Sequence, residues 1–190
     1  MAETTQYIAL LRGINVGGHS VRMEDLRRLF EELGLKNVRT YIQSGNVFFS
    51  ASDADAAALT RKIERQLAQS LGFEVAVFLR TIPEFESILA GDPFKKMKVT
   101  PRMRLCIVLT AEPIRADLDL PLFSPKKDMQ ILKTSEREAY VVWYLKNGRP
   151  PSSQGFLDAA IGKKTTTRFF HTAGKILKAA IIPQEQARGS

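Results

Sequence analysis

The sequence predicts an α+β protein whose N-terminal part is a ferredoxin-like βαββαβ unit, packed against a second α+β part. Three observations carry this reading. Apolar runs of strand length alternate with helical i, i+3, i+4, i+7 patterns over residues 7–79. The order of those segments is strand, helix, strand, strand, helix, strand, which is the split βαβ arrangement. Beyond residue 80 the pattern loosens into further short strands and helices, so the domains expected are 1–80 and 81–190, with the boundary somewhere in 80–100.

Tyr7-Ile8-Ala9-Leu10-Leu11 is a continuous apolar run and reads as a fully buried strand. Leu26, Leu29, Phe30 and Leu33 share one helical face, with Gly34 as the stop, giving a helix over about 22–33. Val38–Ile42 and Asn46–Ser50 are strands of a hairpin across Ser44-Gly45. Ser52 is the expected N-cap of a second helix with Leu59, Ile63, Leu67 and Leu71 on its apolar side, and Glu74–Leu79 is the fourth strand. Pro83 suits the first turn of a short helix ending near Gly91. Strands follow at about 103–110, 129–134 and 139–146, the last two as a hairpin across Ser135–Arg137. The proline-bearing stretch 112–127 reads as an irregular connection, 156–161 as a short helix, and 167–181 as a final helix capped by Thr165, Thr166 or Thr167.

Composition bounds the function. The chain of 190 residues is 44% hydrophobic and 25% charged, ordinary globular material. No apolar run approaches the ~20 residues of a membrane span, so no membrane partner is expected. The first residues lack the basic stretch and long apolar region of a signal peptide, which predicts a cytoplasmic location. The lone cysteine, Cys106, lies in an apolar strand and reads as a buried thiol. Two histidines, His19 and His171, cannot build a structural zinc site with it unless carboxylates join them, so no metal-ligating residues are expected, while a magnesium ion held mainly by substrate phosphates would leave almost no trace in the sequence. The net charge is +8, with 10 Lys/Arg against 9 Asp/Glu in residues 1–80 and 18 against 11 in residues 81–190. The excess therefore sits in the second half, where it suits either a phosphate-bearing partner or a solvated surface.

Two polar loops stand out. Arg12-Gly13-Ile14-Asn15-Val16-Gly17-Gly18 and Gln43-Ser44-Gly45-Asn46 each end a strand-like run, and the element order brings both to one edge of the first sheet. Arg12 offers a cationic fork, Asn15 amide donors and an acceptor, and the glycines a backbone open to close approach. A helix opening at Ser20–Asp25 points its first N–H groups toward them. No nucleotide fingerprint is met. Ser44 sits in a turn without the elbow of a nucleophile. Beside the ligand reading stands a structural one, in which the glycines form a tight loop and Arg12 pairs with a carboxylate. Lys163–Thr172 gathers hydroxyls and cations at an expected helix start, which suits an anion held by Thr167, Arg168 and His171 or, as the favoured alternative, a threonine cap with Phe169 and Phe170 anchoring the helix in the core. An RNA platform is disfavoured: Phe48 and Phe49 lack the required spacing, and both sheet faces read as covered.

The segments Leu10–Gly18, Tyr41–Val47 and, more loosely, Thr166-Thr167-Arg168 resemble the signatures of the bacterial family catalogued as domain of unknown function 1697. The resemblance implies a compact α+β protein with a ferredoxin-like first part and implies no activity. In the third segment the family usually reads Thr-Arg-Asn-Trp-Asn-Thr, whereas here Phe169, Phe170 and His171 replace the Asn-Trp-Asn. The lysine expected beside a serine near Ser152-Ser153 is also missing. The function expected is binding of an anionic small molecule, phosphorylated ones included, in a cleft of residues 12–18 and 43–46 closed by the start of the last helix. An enzyme there would use Arg12 and Arg168 as clamps and His171 or His19 as proton carrier; no residue names a reaction class or a cofactor. The alternatives are a nucleic-acid or phosphoprotein-binding module using the basic half, and loops that are structural keys.

Overall fold

The computed structural model describes residues 4–52 and 55–182. They fall into two compact units, one running to Glu86 and resuming at Ile176, the other Ser87–Lys175. In the first unit β1 (Thr5–Arg12), α1 (Met23–Glu32), β2 (Lys36–Tyr41), β3 (Asn46–Ala51), α2 (Ala56–Leu71) and β4 (Ala76–Thr81) follow in the expected order. The strands form an antiparallel sheet in the order β2-β3-β1-β4, the ferredoxin-like arrangement. Leu26 and Phe30 of α1 and Leu59, Ile63 and Leu67 of α2 bury their apolar stripes against Tyr7, Ala9, Leu11, Val47 and Phe49 on one sheet face.

Two local expectations change. The α2 cap is Asp55 rather than Ser52, because its carboxylate stands directly before the first helical residue and accepts from the N–H groups of Ala57 (2.9 Å) and Ala58 (3.0 Å). Asp55→Ala is expected to lower stability by about 1 kcal/mol, measured as a shift of the urea midpoint at constant slope. Ile42, expected to close β2, instead lies in the hairpin turn with φ +48°, since the register pairs Tyr41 with Asn46 and leaves residues 42–45 to reverse the chain.

The opposite sheet face is also apolar and buried, with Ile8, Leu10, Phe48 and Phe78 inaccessible. Phe48 and Phe49 are only 4% and 2% exposed, so neither ring is available for a base to stack on. Arg39 lies over the Phe48 ring and donates to the carbonyls of Ala179 (3.0 Å) and Ala180 (2.8 Å), satisfying the end of the last helix. The outer edge of β4 is occupied by side chains: Glu64 accepts from Val77 N–H (3.0 Å), Glu84 from Thr81 N–H (2.7 Å), and Arg80 donates to the Leu79 carbonyl (2.7 Å). That edge is closed to a further strand.

The remaining elements are α3 (Ile82–Ala90), β5 (Met103–Thr110), β6 (Leu122–Phe123), β7 (Met129–Thr134), β8 (Glu138–Tyr144), α4 (Gln154–Ile161), β9 (Thr165–Phe169) and α5 (Phe170–Ile181). The division between units falls within α3 and within α5. The second unit holds an antiparallel sheet in the order β6-β7-β8-β5-β9. Leu157, Ala160 and Ile161 of α4 pack on Cys106, Val108, Ile131 and Val141. Tyr140 crosses to donate to the Ile88 carbonyl (2.6 Å), and burial pushes its hydroxyl pKa up to about 12.

The stretch 112–127 is not wholly irregular, since Leu122–Phe123 pairs with β7. Residues 165–169 are strand rather than helix start: a β-branched threonine run suits the sheet edge, where Thr167 pairs with Val108 and Arg168 with Ile107. The helix begins only at Phe170. Cys106 is fully buried, and burial raises its thiol to about 12. A thiol reagent is therefore expected to leave the folded protein unmodified and to react stoichiometrically once denaturant is added.

Candidate functional site

The two polar loops meet. β1 and β3 run antiparallel with Leu10 opposite Asn46, and the next rung is Leu11 N–H donating to the Gly45 carbonyl (2.8 Å). Gly45 has φ +72°, and a Cβ there would lie 3.0 Å from the Leu11 Cβ and 3.2 Å from the Ile14 Cβ. Only glycine lets the turn press this closely on the first loop. Asn46 is fully buried and its amide donates to the Tyr41 carbonyl (3.1 Å) and the Ser44 hydroxyl (2.9 Å). Asn15, at φ +56°, reaches the other way: Nδ2 donates to the Gln43 carbonyl (2.8 Å) and Oδ1 accepts from Val21 N–H (2.7 Å). One side chain thus ties the first loop, the second loop and the entry to α1.

Outside this lock lies a solvent-facing rim. Arg12, Gln43 and Ser44 are exposed, as are Gly17 and Gly18. Val16-Gly17-Gly18-His19 closes as a tight turn, His19 N–H donating to the Val16 carbonyl (3.1 Å), with both glycines at positive φ and open space where their Cβ atoms would be. The His19 ring stacks on Phe73 at 4.0 Å. Val16 and Ile42 put apolar surface on the same two loops, 59% and 47% exposed. The expected attraction of the α1 N-terminus for an anion is already met from within: Glu24 and Asp25 stand in its first turn, and Asp25 pairs with Arg22 (2.8 Å) and Arg28 (2.9 Å). The hydrogen bond from Arg22 holds the Asp25 carboxyl below its ordinary pKa.

Thr167, Arg168 and His171 lie in the other compact unit. Arg168 donates through one nitrogen to the Thr166 hydroxyl and the Thr167 carbonyl, each at 3.0 Å, and burial draws its pKa down to about 10. His171 is exposed in the first turn of α5, stacked on Phe169 and 3.2 Å from the Thr172 hydroxyl. The hydroxyls expected to cap a helix are strand residues.

Over residues 4–140 the chain matches the family described as "Protein of unknown function (DUF1697)". The chain belongs to the DUF1697 family. The match contains both N-terminal loops and ends before β9. Among solved structures, this DUF1697 chain is similar to the conserved bacterial protein SP0830 from Streptococcus pneumoniae, with 25% identity and a TM-score of 0.68, covering 94% of this chain and 99% of that one. No curated protein matches it. Among the described residues no helix of this DUF1697 protein is long and apolar enough to cross a membrane, and no three His, Cys, Asp or Glu side chains gather as metal ligands.

One polar cluster of the DUF1697 chain was not legible from its motifs. Asp128 is buried at the entry to β7, and one oxygen accepts from the hydroxyls of Ser124 (2.7 Å) and Ser153 while the other accepts from Ser152 N–H (3.0 Å). Burial pushes its pKa up, but the hydrogen bonds from Ser153, Ser124 and the backbone outweigh it and hold the carboxyl at about 2. Ser153 precedes α4 without capping it because its hydroxyl is committed to Asp128. Lys126 donates to the Ser152 hydroxyl (3.0 Å). The available signal was an aspartate set directly before an apolar strand, a position that demands partners.

Proposed function

We propose that this DUF1697 protein binds an anionic small molecule of the phosphate-bearing class at the outer rim of the two loops. Arg12 supplies the charge through its planar fork, and the Ser44 hydroxyl, the Gln43 amide and the Gly17-Gly18 backbone surround it as further hydrogen-bonding groups. The observation that carries the reading is a division of labour. Asn15, Gly45 and Asn46 lock the loops from within, Asn46 partly through the Ser44 hydroxyl, while Arg12, Gln43 and Ser44 are solvent-exposed on the surface so fixed. A fixed loop surface presents its donors with little ordering cost on binding.

The bonds of Asn15 favour a second reading, in which the loops serve the fold alone. Calorimetric titration with pyrophosphate and a nucleoside monophosphate separates the two. Arg12→Ala is expected to weaken binding at least tenfold in folded protein, whereas Asn15→Ala is expected to cost about 1–3 kcal/mol of stability by leaving Val21 N–H without its acceptor. Binding that ignores Arg12→Ala, or no anion binding by the intact protein, would leave only the structural reading.

A further inference from the structure

We infer that the second compact unit binds single-stranded nucleic acid at the end of its sheet where β5 and β7 begin and β8 ends. Three backbone and side-chain links gather this surface. Leu145 N–H donates to the Arg102 carbonyl (2.7 Å), Tyr144 N–H to the Asp128 carbonyl (2.9 Å), and the Lys146 ammonium to the Lys126 carbonyl (2.8 Å). Arg102, Lys126, Lys127 and Lys146 are thereby brought together, Arg149 joins them through its N–H to the Lys146 carbonyl (3.0 Å), and all five are exposed.

The charge is uncompensated by the segments that carry it. Residues 95–104, 124–128 and 146–149 hold a single carboxylate, Asp128, which is 3% exposed and turned inward onto Ser124, Ser152 and Ser153. The cations stand on the ends of three adjacent strands in the sheet order, a span of about 10 Å at the usual strand spacing. That width suits successive phosphates of a polymer better than one small anion. Beside them Phe123 is 48% exposed and stacks on Tyr144, whose neighbours across the ladder are Met103 and, through the Asp128 carbonyl, the Lys126–Lys127 turn. A cationic track next to an exposed aromatic face is the arrangement that holds unpaired bases, which stack on such a ring while their phosphates meet the lysines and arginines. The surface lies wholly within residues 87–175, so the proposal is independent of the anion rim on the first two loops.

Fluorescence anisotropy of the full chain with labelled single-stranded DNA and RNA, and with a duplex of equal length, tests it. Single strands are expected to bind at ~50 mM salt and to weaken about 20- to 50-fold at ~200 mM, as three to four phosphate contacts require. The triple reversal K126E/K127E/K146E is expected to weaken binding at least tenfold, and Phe123→Ala to lower affinity for single strands severalfold. Should the triple variant misfold, K127E/R149E replaces it, since neither of those side chains holds a bond among the described residues. No binding at ~50 mM salt, binding insensitive to both charge variants in folded protein, or equal affinity for duplex with no effect of Phe123→Ala would each overturn the inference.

Discussion

Replacing Asp128 by alanine is expected to remove about 3–5 kcal/mol of stability. A buried carboxylate accepts from two hydroxyls and a backbone N–H there, and charge-assisted bonds of this kind contribute about 1.5–3 kcal/mol each before relaxation. Alanine abolishes the acceptor and leaves Ser124, Ser153 and the Ser152 N–H without it. Its pH signature follows from the depressed pKa. The folded value is about 2 against an ordinary 3.8, so the carboxylate's stabilisation is complete above about pH 4 and is lost as the pH falls through 4 toward 2. Urea unfolding at pH 7, 4 and 2.5 should show the wild type losing its advantage over Asp128→Asn across that window. A deficit of under ~1 kcal/mol for Asp128→Ala at pH 7 would mean that the cluster rearranges around its loss.

Gly45→Val is expected to destabilise the first unit by about 3–4 kcal/mol. Positive φ costs a residue with a Cβ about 1–2 kcal/mol, and the new atoms would start 3.0 Å from Leu11 and 3.2 Å from Ile14, an overpacking worth about 1–3 kcal/mol more. Gly17→Ala shares the strained φ but meets nothing within 4 Å, so it should cost only about 1 kcal/mol. The comparison isolates the close approach of the two loops from the turn conformation. Equal losses for the two variants would show that contact with Leu11 and Ile14 contributes little.

Much of the first unit was legible because its apolar residues are periodic. The stripe of Leu26 and Phe30 fixed α1, the unbroken run of Tyr7–Leu11 fixed β1 as a central strand, and the order of the elements placed residues 12–18 beside 43–46. In the second half, Met103–Thr110 and Met129–Thr134 were readable for the same reason. What escaped was decided by single polar contacts or by local competition. Ser52 and Asp55 are both good caps, and only the helix's first residue chooses between them. Thr165–Thr167 could cap a helix or line a strand, and pairing with β5 settled it. Asn15 carried the chemistry of a ligand residue in sequence, yet both ends of its amide are bound to backbone. Asp128 lay outside any motif because its partners come from loops some 25 residues apart.

The anion rim is tested most directly by titrating inorganic pyrophosphate into isotopically labelled protein and following backbone amide and Arg12 Nε resonances. Saturable shifts are expected at Gly17, Gly18, Gln43, Ser44 and the Arg12 side chain, with Leu26, Phe30 and the rest of the buried core unmoved. Shifts confined to other residues, or none on Gly17, Ser44 and Arg12 at millimolar pyrophosphate, would contradict it.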